Sequence, residues 1–303
     1  MQPAKAFDCV ILGGGPAGLS AAHYTLRAGL STMIWARDSG ALAKAHLVEN
    51  YFGFAEPVSG ASIVEAGRAN VRRLGGEFME SEVISLSMAE DGLFSISDGT
   101  QSVTAKTVLL ATGRGFQAAP YKLDRFIGNG VSRCAICDGF FFRGKPVAVL
   151  GNGKYALTEA EELLPLASSV TLLTNGKEPS FEERPEGLII NTAPLSGPTS
   201  EHNAITGTER LTGMVDKNGH IIPVSGLFLA LGTPGAADFA SRLGVMTEHG
   251  HILVDADGMT NVPGIFAAGD CTGTPYQVSV AVGQGATAGM AIVEHLRAKN
   301  KLY

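Results

Sequence analysis

The chain has 303 residues and a formal net charge of −6, with 45% hydrophobic and 17% charged residues. This is the composition of a well-packed globular protein that is long enough for two domains. The acidic balance and the lack of a basic run argue against a nucleic-acid partner, and no apolar run approaches the roughly 18–20 residues that span a bilayer. The N-terminal residues have no signal-peptide pattern, so we expect a cytoplasmic protein that is not bound to a membrane.

The first motif is a glycine-rich turn between a predicted strand and a predicted helix. An apolar run at 7–12 predicts a buried parallel strand, a helical pattern extends from Leu19 to about Ala28, and 32–35 is a second apolar run. Between strand and helix, the glycines of Gly13-Gly14-Gly15-Pro16-Ala17-Gly18 have the G-x-G-x-x-G spacing. In such a strand–turn–helix–strand unit, this spacing predicts dinucleotide binding. The residues that we expect around the pyrophosphate are Gly13, Gly15, Pro16, Ala17 and Gly18.

Asp38 is a candidate ligand for the ribose of that dinucleotide. It follows the first glycine turn at about the separation at which an acidic residue binds a ribose hydroxyl. However, it lies past the second strand in an Asp38-Ser39-Gly40 turn, so a solvated turn residue is the alternative.

A second unit of the same kind begins near the middle of the chain. The apolar run at 147–150 predicts a strand, Leu157 to about Ala167 has a helical pattern, and 170–173 predicts the next strand. The turn between strand and helix is of the G-x-G-x-x-A type and is formed by Gly151, Gly153 and Ala156. The sequence therefore predicts a second nucleotide-binding fold.

Two further strand ends determine how the two folds are connected. The strand at 108–111 leads into Thr112 and Gly113, and the strand at 262–268 leads into Gly269 and Asp270, where a carboxylate can contact a flavin's ribityl chain or its pyrophosphate. With the first glycine turn, these segments make up the usual signature of an FAD domain. We therefore predict an α/β protein with two Rossmann-like nucleotide-binding domains. The predicted domains are a discontinuous FAD-binding domain at 1–116 and 246–303 and an inserted domain at 117–245.

The cysteines indicate redox chemistry. The chain has four, and only Cys134 and Cys137 form a Cys-x-x-Cys pair. A structural zinc site normally needs a second pair of Cys or His ligands, whereas Cys9 and Cys271 are isolated, so we predict no metal site. A Cys-x-x-Cys pair in a long cytosolic chain favours a redox-active disulfide.

Over nearly its whole length the chain resembles low-molecular-weight thioredoxin reductase. The resemblance rests on five ordered motifs: Gly13–Gly18, Val48-Glu49-Asn50-Tyr51, Ala111-Thr112-Gly113, Cys134-Ala135-Ile136-Cys137-Asp138-Gly139-Phe140 and Gly264–Asp270. It implies bound FAD, a homodimer, a thioredoxin-like protein substrate, and an inserted domain that rotates to move the Cys pair between flavin and substrate.

The resemblance also implies roles for individual residues. Cys137 is expected to face the flavin, Cys134 to attack the partner's disulfide, and Asp138 to supply the proton that a departing thiolate needs; a helix cap is the alternative for Asp138. The residues expected beside the flavin are Asn50, Gln277, Val278 and Ser279.

One departure from the family concerns the electron donor. Where NADPH-using members carry a His-Arg-Arg cluster for the 2′-phosphate, this chain has Thr174-Asn175-Gly176-Lys177, which retains one cation. An intact flavin site and Cys pair with a degraded NADPH site is similar to ferredoxin-dependent flavin thioredoxin reductases. The sequence therefore predicts a donor other than NADPH, with ferredoxin as the named candidate.

Several alternatives stay open at this point. An ordinary NADPH-thioredoxin reductase, a dithiol oxidase that uses oxygen, and a flavin redox sensor without turnover share most of these motifs. The retained turn at Gly151 and Gly153 leaves room for a second nucleotide or flavin. The C-terminal Tyr303 is either a residue that stacks on the flavin or a frayed end.

Overall fold

The chain folds into two compact units. The computed structural model describes residues 5–89, 91–113, 119–202, 207–231, 236–248 and 250–300, so that Tyr303 and the predicted boundary at 116/117 lie outside the described residues. The outer unit is Met1–Phe116 with Gly235–Tyr303, and the inserted unit is Gln117–Pro234. The predicted α/β class is confirmed.

Strands and helices follow one another along three segments of the chain. The first segment of the outer unit contains β1 (Lys5–Leu12), α1 (Pro16–Arg27), β2 (Thr32–Trp35), α2 (Gly60–Arg73), β3 (Glu77–Met79), β4 (Ser85–Met88), β5 (Phe94–Ser97) and β6 (Ser102–Leu110). The inserted unit contains β7 (Val131–Ser132), α3 (Ala135–Asp138), β8 (Pro146–Leu150), α4 (Lys154–Leu163), β9 (Ser169–Leu173), β10 (Leu188–Asn191), β11 (Leu195–His202), β12 (Glu209–Asp216), β13 (Ile221–Pro223) and β14 (Gly226–Leu229). The last segment contains α5 (Ala236–Arg242), β15 (Thr247–Glu248), β16 (His251–Ile252), β17 (Ile265–Ala267) and α6 (Val278–Asn300).

The outer unit is built on a mixed sheet. Its strands run in the order β3-β2-β1-β6-β5-β4; β1, β2, β3 and β6 are parallel, and β4 and β5 are antiparallel to their neighbours. β17 pairs in parallel with the C-terminal half of β6, at Val108–Leu110. Because the central strands are covered on both faces, β1 reads as a nearly continuous apolar run rather than an alternating one.

Two helices of the outer unit pack at very short range. A methyl group at Gly285 of α6 would lie 2.1 Å from the carbonyl oxygen of Ala17 in α1, and one at Gly289 would lie 2.7 Å from that of Ala21. The small residues on α6 therefore let its backbone approach that of α1 and cover one face of the sheet.

The inserted unit has its own parallel sheet and core. The sheet order is β10-β9-β8-β14-β7, and β11, β12 and β13 form a separate antiparallel sheet. Phe126 and Phe228 are fully buried in this unit, as Trp35, Phe94 and Phe266 are in the outer one. Each unit thus buries an apolar core of its own.

The second boundary of the inserted unit lies earlier than the predicted boundary at 245/246. The helix α5 contacts β4, β15 and β16, which all belong to the outer unit. Within the described part of the chain, none of the helices has both the length and the apolar character needed to cross a membrane.

Candidate active site

The first glycine turn connects the end of β1 with the start of α1. Gly13 has a φ of +121°, and a methyl group at this residue would lie 2.1 Å from the carbonyl oxygen of Ala111. A methyl group at Gly18 would lie 2.1 Å from the carbonyl oxygen of Gly13, so packing alone requires both glycines. Gly15 differs, because a methyl group there would meet no heavy atom of the described residues within 4 Å. The turn is therefore tightly packed at Gly13 and Gly18 and open at Gly15.

The open side of this turn fits a dinucleotide pyrophosphate. α1 begins at Pro16 with Gly15 as its N-cap, and no described side chain caps it. Uncapped N–H groups at a helix N-terminus attract anions, and the first turn of α1 contains no acidic residue that would compete. Free space and backbone donors together are what the pyrophosphate of FAD requires.

Asp38 lies beside this turn. A methyl group at Gly40 would lie 3.7 Å from Cα of Gly15, so the Asp38–Gly40 loop borders the nucleotide turn. The Asp38 carboxylate accepts a hydrogen bond from the N–H of Gly40 at 2.8 Å and pairs with Arg37 at 3.1 Å. These two contacts hold the pKa of Asp38 below its usual range. The Asp38 carboxylate therefore orders its own turn, and its role as a ribose ligand stays a prediction.

The other two predicted flavin segments reach the same edge of the sheet. β1, β6 and β17 are parallel, with Leu12 opposite Leu110 and Leu110 opposite Ala267. Thr112 and Gly113 follow β6, and Gly269 and Asp270 follow β17. Because the carboxyl ends of parallel strands meet at one edge, these residues lie next to the first glycine turn.

Gly269 is fixed by contacts with α1 and α6 of the outer unit. A methyl group at Gly269 would lie 2.9 Å from Cβ of Ala17 in α1. The N–H of Gly269 donates to Oε1 of Gln284 in α6 at 2.8 Å, and the hydroxyl of Thr272 donates to the carbonyl oxygen of Gly269 at 2.9 Å. Sequence reasoning missed Gln284, because a single glutamine inside a helix carries no motif.

Asn50 and Gln277, which the sequence predicts beside the flavin from two separate motifs, are in contact. The Nδ2 atom of Asn50 donates to Oε1 of Gln277 at 3.1 Å. Gln277 directly precedes α6, whose first two residues are Val278 and Ser279. The structure thus brings the predicted ring-contacting residues to the N-terminal end of α6.

Cys134 and Cys137 form a disulfide at α3, with their Cα atoms 5.3 Å apart. Cys134 is the N-cap residue of this short helix, and its Sγ accepts a hydrogen bond from the N–H of Cys137 at 3.2 Å. Cys134 is only 4% exposed, whereas Cys137 is exposed. For Cys134 to attack a partner's disulfide, its sulfur must first become more accessible than it is in this arrangement.

A serine links the Cys pair to Asp138. The hydroxyl of Ser132 donates to Oδ2 of Asp138 at 2.6 Å and accepts a hydrogen bond from the N–H of Cys134 at 3.1 Å. Asp138 is half-buried and Ser132 is buried, so this contact is shielded from solvent. Sequence reasoning missed Ser132, which lies outside the Cys-x-x-Cys spacing.

The second glycine turn is covered by the chain itself. A methyl group at Gly151 would lie 2.1 Å from the carbonyl oxygen of Ala230 and 2.7 Å from Cβ of Ala156, which is the same close packing as at Gly13. A methyl group at Gly153, however, would lie 3.7 Å from Oγ of Ser180. The N–H of Ser180 donates to the carbonyl oxygen of Asn152 at 2.8 Å. The segment that follows β9 is therefore hydrogen-bonded onto the turn.

The two remaining cysteines are buried free thiols. Burial raises the pKa of both Cys9 and Cys271 to about 12. The Sγ of Cys271 donates to the carbonyl oxygen of Leu110 at 3.3 Å, which suits a small residue that fills space rather than a redox centre. Among the described residues, no cluster of His, Cys, Asp and Glu has an arrangement suited to a metal ion.

Comparisons with known proteins agree on one family. Residues 7–285 match the model of the pyridine nucleotide-disulphide oxidoreductases. A thioredoxin reductase from Aquifex aeolicus is 34% identical, and the match covers 99% of this chain and 97% of that protein. The solved structure of the atypical thioredoxin reductase TRi from Desulfovibrio vulgaris Hildenborough is 36% identical with a TM-score of 0.86, covering 96% of this chain and 98% of that one. A ferredoxin-flavin thioredoxin reductase from Clostridium acetobutylicum is 28% identical with a TM-score of 0.66, covering 97% and 99% of the two chains.

The open space at Gly15 leads to a prediction about FAD binding. We expect Gly15→Ala to fold normally, because the added methyl group meets no described neighbour, but to bind FAD at least about tenfold more weakly, because that methyl group occupies the place of the pyrophosphate. Fluorescence titration of the apoprotein with FAD measures this affinity. Gly197→Ala, a change in similarly open space on β11, is the control and should bind FAD as the wild type does. An unchanged affinity in Gly15→Ala would place the pyrophosphate elsewhere.

The burial of Cys9 and Cys271 leads to a prediction about thiol reactivity. At pH 8 the native oxidised protein should not react with iodoacetamide, since thiols with a pKa of about 12 carry almost no thiolate. After mild reduction with dithiothreitol, label should appear only on the peptide that contains Cys134 and Cys137, as peptide mass spectrometry can show. Rapid labelling of Cys271 in the folded protein would contradict its role as a buried filler.

Proposed function

Since the chain belongs to the pyridine nucleotide-disulphide oxidoreductase family, we propose that it passes electrons from bound FAD to the Cys134–Cys137 disulfide and on to a thioredoxin-like protein, with a donor other than NADPH. The enzyme class follows from its relatives: it is a flavin-dependent disulfide oxidoreductase of the thioredoxin reductase type. Reduced ferredoxin is the donor that we name. A cytoplasmic location and the homodimer that the family resemblance implies are part of the proposal.

The observation that carries the choice of donor is the covered second glycine turn. In the segment after β9, the N–H of Ser180 donates a hydrogen bond to the carbonyl oxygen of Asn152. The Nδ2 atom of Asn152 donates in turn to the carbonyl oxygen of Glu178 at 3.2 Å. At the start of the segment, the hydroxyl of Thr174 donates to the carbonyl oxygen of Lys177 at 2.5 Å and closes a tight turn. A dinucleotide that approached Gly153 would meet the segment that Ser180 and Asn152 hydrogen-bond onto the turn. They support a unit that does not bind NADPH.

The net charge of the same segment also disfavours NADPH binding. A 2′-phosphate carries close to two negative charges and prefers guanidinium partners. Residues 174–186 contain four glutamates against one lysine and one arginine. The arginine, Arg184, donates to the carbonyl oxygens of Phe181 and Glu183 at 3.3 and 2.9 Å. An acidic segment of this kind repels a nucleotide phosphate rather than attracting it.

Ferredoxin is named because a structural relative uses it and because its reduction potential is low enough to reduce thioredoxin. The ferredoxin-flavin thioredoxin reductase from Clostridium acetobutylicum aligns with 97% of this chain at a TM-score of 0.66. A plant-type ferredoxin near about −400 mV that feeds a thioredoxin near about −270 mV makes the transfer of two electrons favourable by roughly 6 kcal/mol. Such a donor delivers electrons without a nucleotide site in the inserted unit.

The residues around the Cys pair provide the chemistry of disulfide reduction. When bound, FAD supplies the two electrons that the Cys134–Cys137 disulfide takes up together with two protons. We assign the delivery of one of these protons to Asp138, which directly follows Cys137 and whose carboxyl group accepts a hydrogen bond of 2.6 Å from the hydroxyl of Ser132. In the next step Cys134 attacks the partner's disulfide as a thiolate, and Cys137 then releases the reduced partner by closing the internal disulfide again.

The donor is tested by anaerobic titration of the flavin absorption band of the purified protein. NADPH, NADH and reduced ferredoxin are added separately, and only ferredoxin is expected to bleach the band and then reduce added thioredoxin. The double variant Cys134→Ser/Cys137→Ser is the control, in which the flavin should still be reduced but thioredoxin should not. Prompt bleaching by NADPH would make the protein an ordinary thioredoxin reductase. Reduction by a dithiol alone would favour a dithiol oxidase.

The proton donor is tested by Asp138→Asn. Loss of a general acid is expected to slow reduction of the partner's disulfide by roughly 10²–10⁴-fold, while photoreduction of the flavin stays unchanged. Stopped-flow absorption with pre-reduced protein separates the two events. Ser132→Ala, which keeps the acid but loses its hydrogen bond, should slow the reaction by less than about tenfold. A rate within twofold of wild type for Asp138→Asn would leave only the helix cap as the role of Asp138.

A further inference from the structure

A surface cavity of about 390 Å³ lies where α1 and α2 end. Its volume is within the range of cavities that bind small molecules. The residues that line it are His23, Tyr24, Arg27, Asn70, Arg73 and Leu74. The helix α1 has 12 residues and begins at the first glycine turn, so its last residue lies roughly 18 Å further along the helix axis. The cavity is therefore separate from the place where we expect the FAD pyrophosphate.

The cavity is basic although the protein as a whole is acidic. Two of its six lining residues are arginines and none is an Asp or Glu, whereas the chain has a net charge of −6. The helix α1 contains no acidic residue. The one acidic residue of α2 is Glu65, which pairs with Arg72 at 3.3 Å. Two guanidinium groups at one cavity with no acidic residue in its lining create a positive potential that attracts an anion.

The polar groups of this cavity have donors to offer. Within the described part of the chain, Arg27 makes no hydrogen bond and no ion pair. The Nη2 atom of Arg73 donates to Oδ1 of Asn70 at 2.6 Å. This contact uses one of the five N–H groups of Arg73 and leaves the amide nitrogen of Asn70 as a donor. The cavity thus has donors from two guanidinium groups and one amide.

The two arginines are not needed to cap the helices that carry them. Basic side chains at the end of a helix often bind its last carbonyl groups. Here main-chain N–H groups do so. Gly29 and Leu30 donate to carbonyl oxygens in the last turn of α1 at 2.9 and 3.1 Å, and Gly75 and Gly76 donate to the last turn of α2 at 3.0 Å each. The guanidinium groups of Arg27 and Arg73 therefore stay available to a ligand.

The electrostatics of His23 show that both guanidinium groups act at the same place. Burial lowers the pKa of His23, a hydrogen bond to the main chain of Gly67 acts in the opposite direction, and the positive charges of Arg73 and Arg27 lower the pKa further. The two arginines come from different helices, yet both influence one imidazole ring. Their charges thus converge on the cavity.

We propose that this cavity binds a small organic phosphate, whose phosphate group is held by Arg27 and Arg73 and whose apolar or aromatic part contacts Tyr24 and Leu74. Guanidinium groups donate paired hydrogen bonds that match the geometry of phosphate oxygens. The cavity has room for more than a phosphate ion, and Tyr24 and Leu74 give its lining apolar surface. The site depends neither on the identity of the electron donor nor on the Cys pair.

The test is isothermal titration calorimetry of the FAD-loaded protein at low ionic strength, where charge interactions are least screened. Phenyl phosphate, inorganic phosphate and phenol are the probes. We expect phenyl phosphate to bind with a Kd below about 1 mM and at least about tenfold more tightly than inorganic phosphate, while phenol gives no measurable binding. The visible spectrum of FAD should stay unchanged throughout, because the probe does not enter the flavin site.

Variants of the arginines locate the site. Arg27→Gln should weaken the binding of phenyl phosphate by at least about tenfold, because it removes a charge-assisted hydrogen-bond donor. Arg27→Lys, which keeps the charge but loses the paired donors, should fall between Arg27→Gln and the wild type. Arg72→Gln is the matched control: it removes an exposed arginine of the same helix end that does not line the cavity, and it should bind as the wild type does. The FAD spectrum of each variant shows that it is folded.

Three results would overturn the proposal. The first is that phenyl phosphate does not bind to the wild type at concentrations up to about 10 mM. The second is that Arg27→Gln binds like the wild type, or that Arg72→Gln loses as much affinity as Arg27→Gln. The third is equal affinity for phenyl phosphate and inorganic phosphate, which would mean that the cavity takes a bare anion and not an organic phosphate.

Discussion

The parallel pairing of β6 with both β1 and β17 is the constraint on which the outer unit depends. β1 and β6 come from the first segment of the chain, and β17 comes from the last, after the whole inserted unit. Their register aligns the three carboxyl ends, so that the first glycine turn, the residues after β6 and the residues after β17 share one edge. A chain can be interrupted by another folded unit without losing its cofactor site only if the two segments rejoin in this way. Each of these three strands is followed by small residues, which is what the approach of a large planar cofactor to the backbone requires.

In the two glycine turns, one glycine is required by packing and another faces the position where a nucleotide would bind. Gly13 and Gly151 both face a carbonyl oxygen that would lie 2.1 Å from an added methyl group. This contact is intrinsic to the strand–turn–helix unit and is needed whether or not a nucleotide binds. The two turns differ in the space beside their second glycine, where a nucleotide phosphate would approach. Gly15 faces open space, whereas Gly153 faces Ser180 and the segment hydrogen-bonded to Asn152.

Sequence reasoning predicted the parts of the molecule that depend on local spacing. The glycine turns, the Cys pair, the α/β class and the insertion all follow from short motifs with fixed offsets. It missed Ser132, Glu159 and Gln284, because each acts through one side chain across a tertiary contact and no spacing marks such a residue. Of these, Glu159 had a signal, since it interrupts the apolar face of α4. The boundary near 235 was placed too late because a seven-residue helix, α5, has too few turns to show which sheet it packs on.

The retention of a glycine-rich turn in the inserted unit is explained without a bound dinucleotide. α4 starts at that turn and, one and a half turns further along, presents Glu159 to the loop that carries the disulfide, where its Oε2 atom accepts a hydrogen bond from the N–H of Ala135 at 2.7 Å. A change at Gly151 would push α4 away from Ala230 and β14, and with it the carboxyl group that holds Ala135. The geometry of the turn is therefore coupled to the geometry of the Cys pair through a single rigid helix. The close packing of Gly151 against Ala230 and Ala156 thus requires small residues at this turn whether or not a nucleotide binds there.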